Sequence, residues 1–231
     1  MRIAVLLATL CLTGPASAQS VQLGAEGSAF NPLTIAAFDE MAPYTLDQFF
    51  AETHGVDVRT PVTFLVPGHF GLHVASDAAP STGATVVFGF HQEATQSQPR
   101  AYLEDIQITG FGLPLFEDAE NPVHARRIYA ASYLETELFP QWASRFEQAE
   151  IYAIEAIELG NAVGALQLVA GYYDQDAGDN MMLRAVILPH PDRISGYMAL
   201  ASINLDLVPV TNPESLAQTL TGQLLSSWQF Q

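Results

Sequence analysis

Apolar residues recur at every second position through several stretches of this chain and at every third or fourth position through others. That contrast predicts the order of elements. "PVTFLV" (61–66) and "GATVVFGFH" (83–91) are short Val/Phe-rich runs that predict strands, and "YLEDIQIT" (102–109) predicts an edge strand. "TLDQFFAETHG" (45–55) predicts a short helix capped by Thr45, with Leu46, Phe49 and Phe50 as its apolar face and Gly55 as its stop. Asn121 before Pro122 is a helix start, and Val123, Arg127, Ala131, Leu134 and Leu138 then follow at helical spacing. Pro140 should break that helix, with "QWASRFEQA" (141–149) continuing as a second short one.

The clearest pattern lies in residues 150–231. "EIYAIEAIEL", "AVGALQLVAGYYD", "MMLRAVILPH" and "RISGYMALASINLDL" are joined by Gly160-Asn161, "QDAGDN" and Pro191-Asp192. Four apolar runs separated by short turns predict an antiparallel meander. In one register Leu166, Leu168, Ala170 and Tyr172 share a face with Met182, Val186 and Leu188, and with Tyr197, Ala199, Ala201, Ile203 and Leu205. The end of the chain, "NPESLAQTLTGQLLSSWQF" (212–230), predicts a helix with Leu216, Leu220, Leu224 and Trp228 as one stripe. Such a helix should pack on the meander and be required for folding, while Thr221, off the stripe, should tolerate alanine. The expected fold class is therefore α+β: an antiparallel β-sheet meander packed with helices, including a C-terminal helix, in an α/β/α sandwich-like arrangement.

The start of the chain follows different rules. Arg2, the apolar run 3–12, the break at Gly14-Pro15 and the small residues 16–18 predict a signal peptide cleaved after Ala18. The run is too short to span a bilayer, which takes about 20 residues. Leu10 before Cys11 does not suit a lipid-attachment site. Residues 19–44 predict an irregular arm, and 19–231 a single α+β domain. Cys11 is the only cysteine, so the exported chain would make no disulfide. Localisation is expected to be periplasmic or secreted.

Charge narrows the partners. There is no lysine, and removal of the signal leaves seven arginines against 25 acids, a formal balance of −18. A surface of that sign repels phosphate backbones and anionic headgroups, which excludes nucleic acid. No membrane span is expected. A protein partner or a small molecule remains.

The meander, the strand "GYMALASINLDL" and the terminal "LLSSWQF" are similar to the PsbP-like α/β/α sandwich proteins, exported accessory domains of photosystem II and their bacterial relatives. "PVTFLVPGHF" resembles the early strand and proline turn of that family. The resemblance is architectural, covers mainly residues 150–231, and carries over no ligand or catalytic residue. It implies a non-enzymatic helper or interaction module.

Candidate chemistry is sparse. His69 and His73 in "VPGHFGLH" would share a metal on a helix, but Pro67, Gly68 and Gly71 oppose one. On a strand they sit about 13 Å apart. His91 is the best third ligand, so His69, His73 and His91 are the metal candidates, and the expectation is no metal and no cofactor. "DQDAGD" (174–179) has calcium-like spacing but lacks the glycine and glutamate an EF-hand requires, which favours a solvated hairpin loop. Glu155 interrupts an apolar strand, and Arg126-Arg127 is the one basic pair. No Gly-x-Ser-x-Gly, Ser-x-x-Lys or His-Glu-x-x-His is present, so the catalytic residues are unknown. The reading is an exported, periplasmic, non-catalytic accessory or binding module. The alternative is a periplasmic hydrolase or metal-dependent enzyme whose site is assembled from distant segments.

Overall fold

The computed structural model describes residues 40–68, 72–79, 83–94, 96 and 99–231. The expected signal peptide, most of the arm and His69 lie outside the described residues. Among the described residues two antiparallel sheets form. The larger has seven strands in the order β3 (Leu72–Ala79), β4 (Ala84–Gln92), β5 (Ala101–Gly112), β9 (Ser195–Asn204), β8 (Asp179–Pro189), β7 (Leu166–Asp174) and β6 (Glu147–Ala156). The smaller places β2 (Val62–Gly68) between β1 (Glu40–Leu46) and β10 (Gln229–Phe230). The predicted meander is thus β6 to β9, and the α+β class with a C-terminal helical segment is the observed one.

One face of the large sheet carries α2 (Pro122–Tyr133), a π-helical turn (Leu134–Leu138) and α3 (Phe139–Ala143). The π turn solves the problem set by Pro140, which has no N–H to donate to the preceding turn. Phe139 N instead reaches back five residues to Leu134 O, and the helix widens for one turn without breaking. The chain then enters β6 at Glu147, where the sequence predicts a helix to 149. The opposite face carries the small sheet, α1 (Gln48–His54) and α5 (Leu220–Ser226), with α4 (Pro213–Gln218) beside it.

The register divides the meander between these two sides. Leu168 pairs with Ala185 and Ala170 with Leu183, so Leu166, Leu168, Ala170 and Tyr172 share a face with Met181, Leu183, Ala185 and Ile187 under α2. Val186 and Leu188 pair with Ala199 and Tyr197 and face the small sheet. The β8–β9 half of the expected face is right, and β7 points the other way. Both faces are buried, so apolar alternation cannot fix the register between strands.

Other local expectations change for identifiable reasons. Asp47, not Thr45, caps α1 by accepting from Phe50 N, and Phe49 is exposed while Leu46 and Phe50 are buried. Residues 40–44, read as arm, belong to β1. The segment 102–109 is no edge: β5 is hydrogen-bonded to β4 on one side and β9 on the other. Glu155 is exposed, and its Oε1 accepts from Gln167 Nε2 at 2.7 Å.

The C-terminal helix is two short helices with an extended break at Thr219 (ψ 162°). A charge from the sheet enters that break. Glu104, 1% exposed, accepts from Leu220 N and Thr221 N at 2.9 Å and from Thr221 Oγ1 at 2.8 Å. The carboxylate therefore supplies acceptors for backbone donors that a helix start leaves unpaired. Burial pushes its pKa above the ordinary value, against the pull of these donors and of the Arg184 guanidinium. Thr221 is fully buried, contrary to the expectation that it tolerates alanine. Thr221→Ala should cost about 1.5–3 kcal/mol, the usual range for a hydrogen bond to a charged group, read as a lowered midpoint in urea unfolding.

Candidate functional site

At one end of the large sheet the loop after α1, the start of β4, the end of β5 and the start of β9 enclose a cleft of about 620 Å³. Volumes of this order accommodate small-molecule ligands. Its floor is β5 where that strand runs past the start of β4, at Gly110, Phe111 and Gly112. Methyl groups placed on Gly110 or Gly112 would meet nothing within 4 Å, so a ligand can approach this backbone closely.

The wall hydroxyls are tied together. Tyr197 donates its phenolic proton to Thr60 O at 2.7 Å, and the hydroxyls of Thr60 and Ser195 hydrogen-bond to each other. Tyr197 is buried, and desolvation, aided by the Asp57 charge, holds its phenol well above the usual range. It remains a neutral donor. At the mouth Arg59 Nε donates to Asp57 Oδ2 at 2.5 Å; both side chains are largely exposed. Ile194, 65% exposed, connects the cleft to a shallow neighbouring depression formed with Pro114, Leu115 and Phe116. Phe116 has φ +55°, a left-handed conformation that costs a bulky residue of order 1–3 kcal/mol and is concentrated at functional loops. None of these residues stands out in the sequence. Thr60 is 135 and 137 positions from Ser195 and Tyr197, and the one local signal is the pair of glycines at the end of a strand.

The metal candidates lie elsewhere. His73 and His91 are direct cross-strand partners on β3 and β4, with ring centres 6.3 Å apart. His91 also meets Tyr102 on β5, at 5.7 Å between rings. From there a polar row crosses the sheet: Tyr102 donates to Asp105 Oδ2 at 2.9 Å, and Ser202 bonds both Asp105 and Tyr172. Burial raises the pKa of Asp105 despite these bonds and pushes Tyr172 up to about 12. Burial also lowers His91, with Arg100 and His73 adding to the effect. This row is exposed at His73 and buried at Tyr172, which packs against Trp142 and Phe146, and none of it lines the cleft.

The remaining sequence candidates have structural roles. Arg126 is buried; its Nη1 donates to His190 O at 2.8 Å and its Nη2 to Arg193 O at 3.3 Å, tying α2 to the β8–β9 turn. Those partners are backbone carbonyls. Asp174 Oδ1 accepts from Asp176 N and Ala177 N, which closes the β7–β8 hairpin as an ordinary turn. Among the described residues no three His, Cys, Asp or Glu side chains converge as a metal site, and no helix is long and apolar enough to cross a membrane.

No family model matches the chain, and a search of curated proteins finds no match. Solved structures do resemble it. The Ran-binding protein Mog1p of Saccharomyces cerevisiae is 10% identical with a TM-score of 0.42, over 82% of this chain and 96% of that one. LpqN, described as involved in cell envelope biogenesis of Mycobacterium tuberculosis, is 11% identical with a TM-score of 0.42, over 83% and 91%.

Proposed function

We propose that the chain is an exported, periplasmic accessory module of the PsbP-like kind, which binds a small amphipathic molecule or peptide side chain in the cleft and does no chemistry on it. The cleft itself supports this reading. Its backbone floor is open, its rim is apolar at Ile194, and its buried hydroxyls are engaged with one another. A nucleophile needs an adjacent base to activate it. Among the described residues the only acid lining the cleft, Asp57, is bonded to Arg59.

The test uses the space above Gly110. Gly110→Leu should fill the cleft without moving the fold, because Gly110 lines it and a Cβ there meets nothing within 4 Å. A library of amphipathic fragments screened by ligand-observed NMR should yield binders that compete with one another and are lost in Gly110→Leu, with the melting temperature unchanged. Binders indifferent to that substitution, or fragments converted to product, would overturn the reading. Export is a separate expectation: N-terminal sequencing of the processed protein should begin at Gln19.

The runner-up, an enzyme assembled from distant segments, rests on the row of His91, Tyr102, Asp105 and Ser202. It predicts turnover that Asp105→Asn abolishes, scored by product formation across generic ester and phosphoester substrates.

A further inference from the structure

We propose that His73 and His91 form a two-histidine chelate for a divalent transition metal at the exposed β3 edge of the large sheet, independent of the cleft. Antiparallel pairing makes this pair possible. Directly opposed residues hold their Cβ atoms about 4.5–5.5 Å apart, and their side chains leave the sheet on the same side. Sequence spacing points to His69 and His73, but the β3–β4 register brings together two histidines eighteen positions apart. Two imidazoles sharing a tetrahedral metal, each with a nitrogen ~2 Å from it, place their ring centres roughly 5 Å apart. The observed separation is 6.3 Å, and rotation of the exposed His73 side chain closes the remaining distance.

The surroundings leave both rings available. His73 is exposed on an edge strand. His91 Nδ1 is buried against the Gly89 backbone, which leaves Nε2 as the ligand atom. Among the described residues neither imidazole is held by a carboxylate. Tyr102, the next side chain in the row, has committed its hydroxyl to Asp105. Asp77 is four residues along β3 from His73, about 13 Å away, and cannot join the same metal. Solvent therefore completes the coordination. A nitrogen-only pair with open positions suits zinc, nickel or copper over magnesium or calcium, which require oxygen ligands. Arg100 is close enough to oppose a cation, but it is exposed and screened at physiological ionic strength.

The test is zinc titration calorimetry on the untagged chain at neutral pH after chelator treatment. One equivalent should bind, and His73→Ala and His91→Ala should each weaken it about tenfold or more. His124→Ala, an exposed histidine at the start of α2, should leave binding unchanged. His73→Ala is the decisive variant, since an exposed edge side chain can be removed without unfolding the sheet, and its melting curve without metal should match wild type. NMR of the imidazole nitrogens should show both rings shifting together on zinc addition. No binding at millimolar zinc, or equal affinity in His73→Ala, would overturn the assignment. Binding abolished by Gly110→Leu would contradict its independence from the cleft.

Discussion

Replacing Trp228 with alanine should lower the unfolding free energy by about 3–5 kcal/mol, the range for removing a large aromatic from a packed core. Trp228 is fully buried. Its ring stacks on Phe64 at 5.2 Å and 6° between planes, and meets Tyr197 and Phe230 edge-on at 5.3 and 5.9 Å. It therefore joins two layers: β2 and β10 of the small sheet and β9 of the large one. The backbone is held as well. Trp228 O accepts from Asn161 N, and Asn161 exchanges side-chain hydrogen bonds with Phe230 N and O. Gly160 beside it has φ +53°, and any Cβ there would collide with Trp228 O. Deleting residues 212–231 removes this anchor along with β10, α5 and the donors to Glu104. Against a net stability of about 5–15 kcal/mol, that loss should leave no cooperative transition in urea, followed by circular dichroism. A truncated chain unfolding cooperatively at the wild-type midpoint would refute the role assigned to this segment.

Glu104→Ala should cost a comparable amount, about 3–5 kcal/mol, because removing one member of a buried charge set leaves the others uncompensated. Three donors of α5 would lose their acceptor, and Arg184, 4% exposed, would lose the carboxylate that stabilises its charge most. Burial lowers Arg184 to about 10, with Glu104 and Glu155 pulling it back up. Its Nε donates to Gln167 Oε1 at 2.8 Å, and Gln167 passes the contact on to Glu155, so a polar relay runs from the helix start to the outer edge of the sheet. The same site sets a pH dependence. Glu104 has a folded pKa raised above 4.5, so the native state holds its proton more tightly than the unfolded chain. Its contribution is full below that ordinary value and is lost as pH rises through the folded pKa. Asp105 is also raised and acts in the same sense, whereas His91 and His190 are lowered and act oppositely as pH falls below about 6.5. Comparison with Glu104→Gln isolates the one group: the variant should lose less stability than wild type between pH 4.5 and 8. Parallel stability curves would refute it.

What could be read in advance had short range. Turn residues and apolar runs locate β6 to β9, since a strand signals itself through its own alternation and its bounding glycines and prolines. Asn121-Pro122 and Asn212-Pro213 mark helix starts because the capping oxygen and the first-turn proline are neighbours in sequence; both caps form. The leucine stripe with Trp228 identifies side chains that must be buried, and all four are. The acidic balance follows from composition alone.

Everything that depends on which strands meet was decided by the tertiary structure. Burial on both faces of the large sheet removes the polar marker that would show which way β7 turns. A single residue of register separates the expected face from the observed one. Glu104 looks like an edge-strand acid until α5 is placed over it, because only the fold brings donors 116 and 117 positions away into its reach. Thr60, Ser195 and Tyr197 share a cleft for the same reason, and His73 is brought opposite His91. Local propensity is encoded within a few residues. Pairing, burial of charge and the assembly of a site are long-range properties, set by the packing that satisfies all the local pieces at once.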